Sequence, residues 1–353
     1  MQKRTIIISL VGFVTFTLVI GGLNIGKAAA AEVIKLNFAH NMADKSHATL
    51  QGITPWVKAV EAATNGRVQI TQYPNDTLVK GRDSWEALRR GAVDIALTTH
   101  GFFPGVFPVT DVTALPILPL PSAEAAGGVL WQLYEKFPEI SNEFKDVKPL
   151  VFNLSGPYHL MTTAKGGKIQ SAADWKGKKI RTLGGPQVDL MKVLGAVPMT
   201  ISSGEIYTSL EKGIIDGAIY LDHGLQGFKL AEVVRYLCTQ TVTFGHSSFS
   251  MSLRAWNNLP KDVQSQIMSV SGLKGSEALD KRWYDEFDRE GELAKFAKEG
   301  YTTEVYNLTP VQAAEWRTAA EKIWQVWRND MSRRGIDGQK ILDELFKLAK
   351  EYK

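Results

Sequence analysis

Trp85-Glu86-Ala87-Leu88-Arg89-Arg90-Gly91-Ala92-Val93-Asp94-Ile95-Ala96 has the same layout as Tyr207-Thr208-Ser209-Leu210-Glu211-Lys212-Gly213-Ile214-Ile215-Asp216-Gly217-Ala218. Each reads as a short helix with an aromatic and a leucine facing inward, a glycine stop, then an apolar strand whose third position is aspartate. Two ordinary helix-to-strand turns can coincide by chance, so the flanks decide. Before the first copy, Val33-Ile34-Lys35-Leu36-Asn37-Phe38-Ala39 alternates as a strand. The spacing of Leu50, Ile53, Val57 and Val60 predicts a helix over 48–63 with those four on one face, stopped by Asn65-Gly66. Val68 to Tyr73 and Val93 to Leu97 follow as strands, with a helix from Arg82 to Arg90 between them. Around the second copy, Lys179 to Thr182 reads as a strand and Gln187 to Leu194 as a helix. Two similar α/β units with parallel strands imply two lobes and a cleft between them.

The ends of the chain are different in kind. Met1-Gln2-Lys3-Arg4, an apolar run from Thr5 to about Leu23, and Lys27-Ala28-Ala29-Ala30-Ala31-Glu32 read as a secretory signal, cleaved after Ala30 or Ala31. An uncleaved membrane anchor is the alternative, since the run reaches spanning length. Cleavage removes three cations from a net charge of +4 and leaves +1, which gives no electrostatic case for nucleic acid. The single cysteine, Cys238, excludes an internal disulfide and sits in an apolar stretch as a small buried residue. Ala114-Leu115-Pro116-Ile117-Leu118-Pro119-Leu120-Pro121 is predicted to be a rigid surface segment leaving the first lobe. The last third is largely helical. Pro260 opens one helix, and Thr309-Pro310 caps another whose Trp316, Ala320, Ile323 and Trp327 form a packing stripe.

Catalytic signatures are missing. There is no Gly-x-Ser-x-Gly elbow, no phosphate-binding loop, and the six histidines show no metal-ligand spacing. Asp222-His223 has the residue types of an acid/base pair, but adjacent loop residues are usually just polar neighbours. Arg181 is the strongest candidate: it ends a predicted strand, and Leu183-Gly184-Gly185-Pro186 follows, where a ligand can approach the backbone beside a helix start. A guanidinium there can hold a carboxylate by two parallel charge-assisted bonds. A surface salt bridge is the competing reading.

Asp174-Trp175-Lys176-Gly177-Lys178-Lys179-Ile180-Arg181, Gly195-Ala196-Val197-Pro198-Met199, Glu205-Ile206-Tyr207 and Leu210 to Gly217 resemble the substrate-binding subunit of TRAP (tripartite ATP-independent periplasmic) transporters. So do Glu61 to Val68, Arg90 to Ile95 and Trp256 to Gln264, and together these cover nearly the whole chain after the signal. The resemblance implies an α/β, two-domain periplasmic-binding-protein-like fold with a ligand cleft between the lobes and a helical C-terminal part. It places domain I at 32–154 plus about 246–285, and domain II at 155–245 plus about 286–353. It implies a periplasmic, monomeric receptor that takes a small organic acid to TRAP membrane subunits, without catalysis, cofactor or metal. Arg181 then pairs with the ligand carboxylate.

This sequence departs from the family's pattern at two places. Ala218-Ile219-Tyr220-Leu221 stands where sialic-acid and dicarboxylate members tend to carry Glu-Asn-Pro, and Gly156-Pro157-Tyr158-His159 stands where some carry a second arginine. Gaining Tyr158 and Tyr220 while losing an amide and a cation points to a monocarboxylate, aromatic or branched. His40, Thr99, Ser203, His223 and Phe244 complete the expected lining. A sensor component feeding a signalling receptor, or a secreted α/β hydrolase or lyase, are the other functions such a chain could serve.

Overall fold

Two strands far longer than the others organise the molecule. The computed structural model describes residues 33–182 and 184–352, so the segment expected to be a signal lies outside the described residues. Among these, nine strands form one sheet: β1 (Ile34–Ala39), β2 (Val68–Tyr73), β3 (Ile95–Thr99), β4 (Val147–Thr162), β5 (Lys179–Thr182), β6 (Val197–Thr200), β7 (Gly217–Leu221), β8 (Tyr236–Ser252) and β9 (Glu304–Tyr306). Their order is β2-β1-β3-β8-β4-β7-β5-β6, with β9 beside β8. β4 and β8 run antiparallel for 16 and 17 residues, about 50 Å of chain at a strand's rise, and cross from one half of the sheet to the other.

Each half carries a small parallel set, β2-β1-β3 on one side and β7-β5-β6 on the other. β3 joins β8 antiparallel and β7 joins β4 antiparallel. The echo seen in sequence is a repeated piece of structure. Helices Ser84–Arg89 and Ile206–Glu211 both end on a glycine with left-handed backbone, Gly91 at φ 67° and Gly213 at φ 66°. In both, the next residue's N–H reaches back to close the helix end, Ala92 to Ala87 O at 2.8 Å and Ile214 to Ser209 O at 2.9 Å. The aspartates match as well: Asp94 accepts from the Asn37 N–H at 3.0 Å and Asp216 from the Lys179 N–H at 2.9 Å, each pinning a parallel strand of its half. The copies differ in one respect: Trp85 is buried, whereas Tyr207 is half-buried because its hydroxyl turns out to Glu232, and Ile206 fills the inward position.

Two other expectations need correction. Leu50 is 52% exposed, off the buried face shared by Ile53, Trp56, Val57 and Val60. The stretch Ala48–Ile53 is a π-helix before the α-helix Thr54–Ala63, and its wider turn rotates Leu50 outward. The Pro- and Leu-rich segment is not on the surface: Leu115, Ile117, Leu118 and Leu120 are all buried. Its carbonyls and amides are satisfied from elsewhere, with Trp324 Nε1 donating to Pro116 O at 2.8 Å and Ile117 N to Val242 O at 2.9 Å. The cover is the helix Pro310–Arg333, 24 residues and about 36 Å long. Thr309 and Gln312 cap it reciprocally, and Trp316, Ala320, Ile323 and Trp327 bury their stripe as expected.

Candidate functional site

The C-terminal ends of the parallel strands from both halves meet at the middle of the crossing pair. Thr99, the last residue of β3, lies opposite Ser247 of β8, which itself faces Asn153 of β4. Leu221, the last residue of β7, lies opposite Tyr158 of β4. Open α/β sheets bind ligands beyond the carboxyl ends of their strands, and here two such edges converge over residues 153–158.

Arg181 sits in that region on β5 and is 1% exposed. Its Nε donates to Ile201 O at 2.9 Å and its Nη1 to Ile219 O at 3.3 Å, while its Cζ lies 5.0 Å over the Tyr220 ring. Burial lowers its pKa, and the groups that oppose that shift are the phenols of Tyr158 and Tyr220, not a carboxylate. The surface-salt-bridge reading is therefore wrong: the guanidinium is buried and, among the described residues, is the only fully buried lysine or arginine. A buried cation held by carbonyls and an aromatic face, with no carboxylate beside it, makes Arg181 the candidate anion-binding group of this site.

Tyr158 and Tyr220 stand edge to face at 6.4 Å and 87°. Burial pushes the Tyr158 phenol up to about 12 and raises that of Tyr220, with the Ser203 hydroxyl opposing the latter, so both present neutral O–H groups. Gly224 is required behind Tyr220, because a Cβ there would lie 2.4 Å from its Cδ1. Thr99 and Ser203 are half-buried; Phe244 is buried and packs on Gly156. His40 is 2% exposed at the end of β1, with neither ring nitrogen at hydrogen-bonding geometry to a partner. Its burial pulls it down to about 4, against the Met42 backbone and Gln72 side chain.

Asp222 and His223 are not a pair. Asp222 takes His159 Nδ1 at 2.7 Å and Arg289 Nη1 at 3.2 Å. His223 instead joins aromatic rings from both halves: it stacks on His47 at 6.2 Å and on Tyr284 at 6.5 Å, and lies 6.4 Å from Tyr220. Phe287 meets His47 edge-on at 5.6 Å. Reasoning from sequence missed His47, Tyr284 and Phe287. The position of His47 in the loop after β1, at a strand's carboxyl end, was the available signal.

Burial pulls His223 down to about 4, with His47 adding to the shift and Asp222 opposing it. A histidine whose folded pKa is depressed contributes stability that is present above its ordinary 6.5 and is lost as pH falls toward 4. His223→Phe should therefore flatten this part of the pH dependence. The melting temperature of wild type should fall further between pH 7 and pH 4.5 than that of the variant; equal falls would contradict the assignment.

A continuous sheet crossed by two long strands, with a buried cation where two sets of strand ends meet, is the architecture of a two-lobed solute-binding protein. The family model of the bacterial extracellular solute-binding proteins, family 7, matches residues 38–330, and the chain belongs to that family. A TRAP periplasmic solute-binding protein from Desulfovibrio salexigens superposes with a TM-score of 0.81 at 26% identity, over 91% of this chain and 97% of that one. A TRAP solute-binding protein from Rhodoferax ferrireducens in complex with copurified benzoate gives a TM-score of 0.78 at 27% identity, over 90% and 98%. The C4-dicarboxylate-binding periplasmic protein of Rhodobacter capsulatus is 27% identical over 90% of this chain and 91% of its own length. The two-lobed α/β fold and the role of binding organic acids for a TRAP transporter follow from these relationships.

Proposed function

We propose that this chain is the periplasmic receptor for an aromatic monocarboxylate, which it binds without transforming and passes as a monomer to TRAP membrane subunits. One observation carries the reading: Arg181 is the only fully buried lysine or arginine among the described residues, and no carboxylate of those residues offsets its burial. One buried cation suits one carboxylate, and a second carboxylate on the ligand would be desolvated without a partner. Tyr158 and Tyr220 then wall the ring, with His40, Thr99, Ser203, His223 and Phe244 as further lining. The benzoate carried by the Rhodoferax ferrireducens protein favours the same class. Domain I is assigned 32–154 plus about 246–285, and domain II 155–245 plus about 286–353, hinged where β4 and β8 cross. The segment 1–31 directs export and is cleaved. Ligand touching both lobes binds the closed state better and shifts the population toward it.

A thermal-shift panel tests the reading. Benzoate or a phenyl-substituted monocarboxylate at saturating concentration should raise the melting temperature by several degrees, since a hundredfold excess over Kd is worth about 2.7 kcal/mol. Stabilisation by dicarboxylates alone would overturn it.

A further inference from the structure

A short helix, Gly224–Gly227, follows β7 and carries a glycine at each end. Neither glycine is there for its backbone, since both are helical and neither has a positive φ. Alanine is the better helix former at such a position. The surroundings of the two differ. At the exposed Gly227 a Cβ would meet nothing within 4 Å, whereas at the buried Gly224 it would lie 2.4 Å from Cδ1 and 2.6 Å from Cε1 of Tyr220. Gly224 is therefore demanded by the close approach of the helix backbone to one ring.

That ring is the one against which the buried cation lies, with Arg181 Cζ 5.0 Å over its face. It has little room to yield. Phe228 meets it edge-on at 5.8 Å and 81°, Tyr158 at 6.4 Å and 87°, and His223 at 6.4 Å and 70°. The helix is hemmed in as well, because the same Cβ would lie 3.3 Å from Cδ1 of the fully buried Leu230. A methyl group at 224 must then displace Tyr220, and with it the aromatic face that supports the guanidinium. We propose that Gly224 is a positioning residue for ligand capture: its bare Cα sets where the Tyr220 ring stands, and that ring sets the aim of Arg181 toward the acid. The inference rests on Arg181 as the anion-binding group and extends the binding machinery to a residue that acts only through another side chain.

The test is calorimetric titration with benzoate, joined to thermal denaturation of the ligand-free proteins. Gly224→Ala should weaken benzoate binding by about tenfold or more. Gly227→Ala, in the same helix but facing open space, should stay within about twofold of wild type. In a Tyr220→Ala background, where the methyl group has room, adding Gly224→Ala should change affinity by less than about twofold. The melting temperature gives the same cycle without ligand: Gly224→Ala should lower it in wild type and not in Tyr220→Ala. Wild-type affinity in Gly224→Ala would overturn the inference. So would an equal loss in Gly227→Ala, which would assign the effect to the helix, or a Gly224→Ala penalty of the same size in both backgrounds. If wild type itself binds no benzoate, the monocarboxylate reading fails and takes this inference with it, an outcome distinct from the other three because they all require wild-type binding.

Discussion

Arg181→Met is expected to abolish binding of the acid while leaving the ligand-free protein at least as stable as wild type. The two effects have one cause. In the proposed complex the ligand supplies the carboxylate that the buried guanidinium lacks, through charge-assisted bonds each worth about 1.5–3 kcal/mol. Losing two of them weakens binding by at least about a hundredfold. Without ligand the same guanidinium is desolvated against only the Ile201 and Ile219 carbonyls and the Tyr220 face. An apolar side chain of similar length removes that desolvation cost, which commonly matches or exceeds what the contacts return. Calorimetry and thermal denaturation on the two proteins check both halves. Wild-type affinity in the variant would refute the clamp, and a large loss of apo stability would make Arg181 a structural residue.

Trp316→Ala should have the largest effect on stability. Trp316 is fully buried on the long helix Pro310–Arg333 and meets Trp175 edge to face at 4.8 Å. The same helix reaches the Pro-rich segment and the chain just before it, where Trp324 donates to the Pro116 carbonyl at 2.8 Å and Trp327 to the Pro108 carbonyl at 2.9 Å. Truncating a buried tryptophan costs about 3–5 kcal/mol through lost transfer energy and a residual cavity. For a chain this size the melting temperature should drop by roughly 4–7 °C. Trp316→Phe is the control: the Trp316 Nε1 has no hydrogen-bond partner, so a phenyl ring keeps most of the packing and strands no donor. Ligand affinity measured well below the transition should stay within a few-fold in both variants, because neither touches the anion site.

Legibility in the sequence tracked how local each determinant is. The glycine stops at Gly91 and Gly213 and the aspartates Asp94 and Asp216 act within one helix-to-strand turn and its neighbouring strand, so their spacing announced the two halves. The position of Arg181 was legible for the same reason, as a cation near a strand end with two glycines close behind, whereas its burial was not. Features settled by distant packing were not. Nothing near Leu115 and Ile117 signals that a helix two hundred residues on will bury them. Leu50 fits an α-helical face in sequence, and only the π-helical turn removes it. The ring cluster of His47, His223, Tyr284 and Phe287 draws on three separate segments, so no window of sequence contains it.

The most direct test is a crystal structure of the protein grown with benzoate. The account predicts both carboxylate oxygens about 2.7–2.9 Å from Arg181 nitrogens, with the ring against Tyr158 and Tyr220. A ligand whose carboxylate lies elsewhere, with Arg181 bonded only to the Ile201 and Ile219 carbonyls, would contradict it.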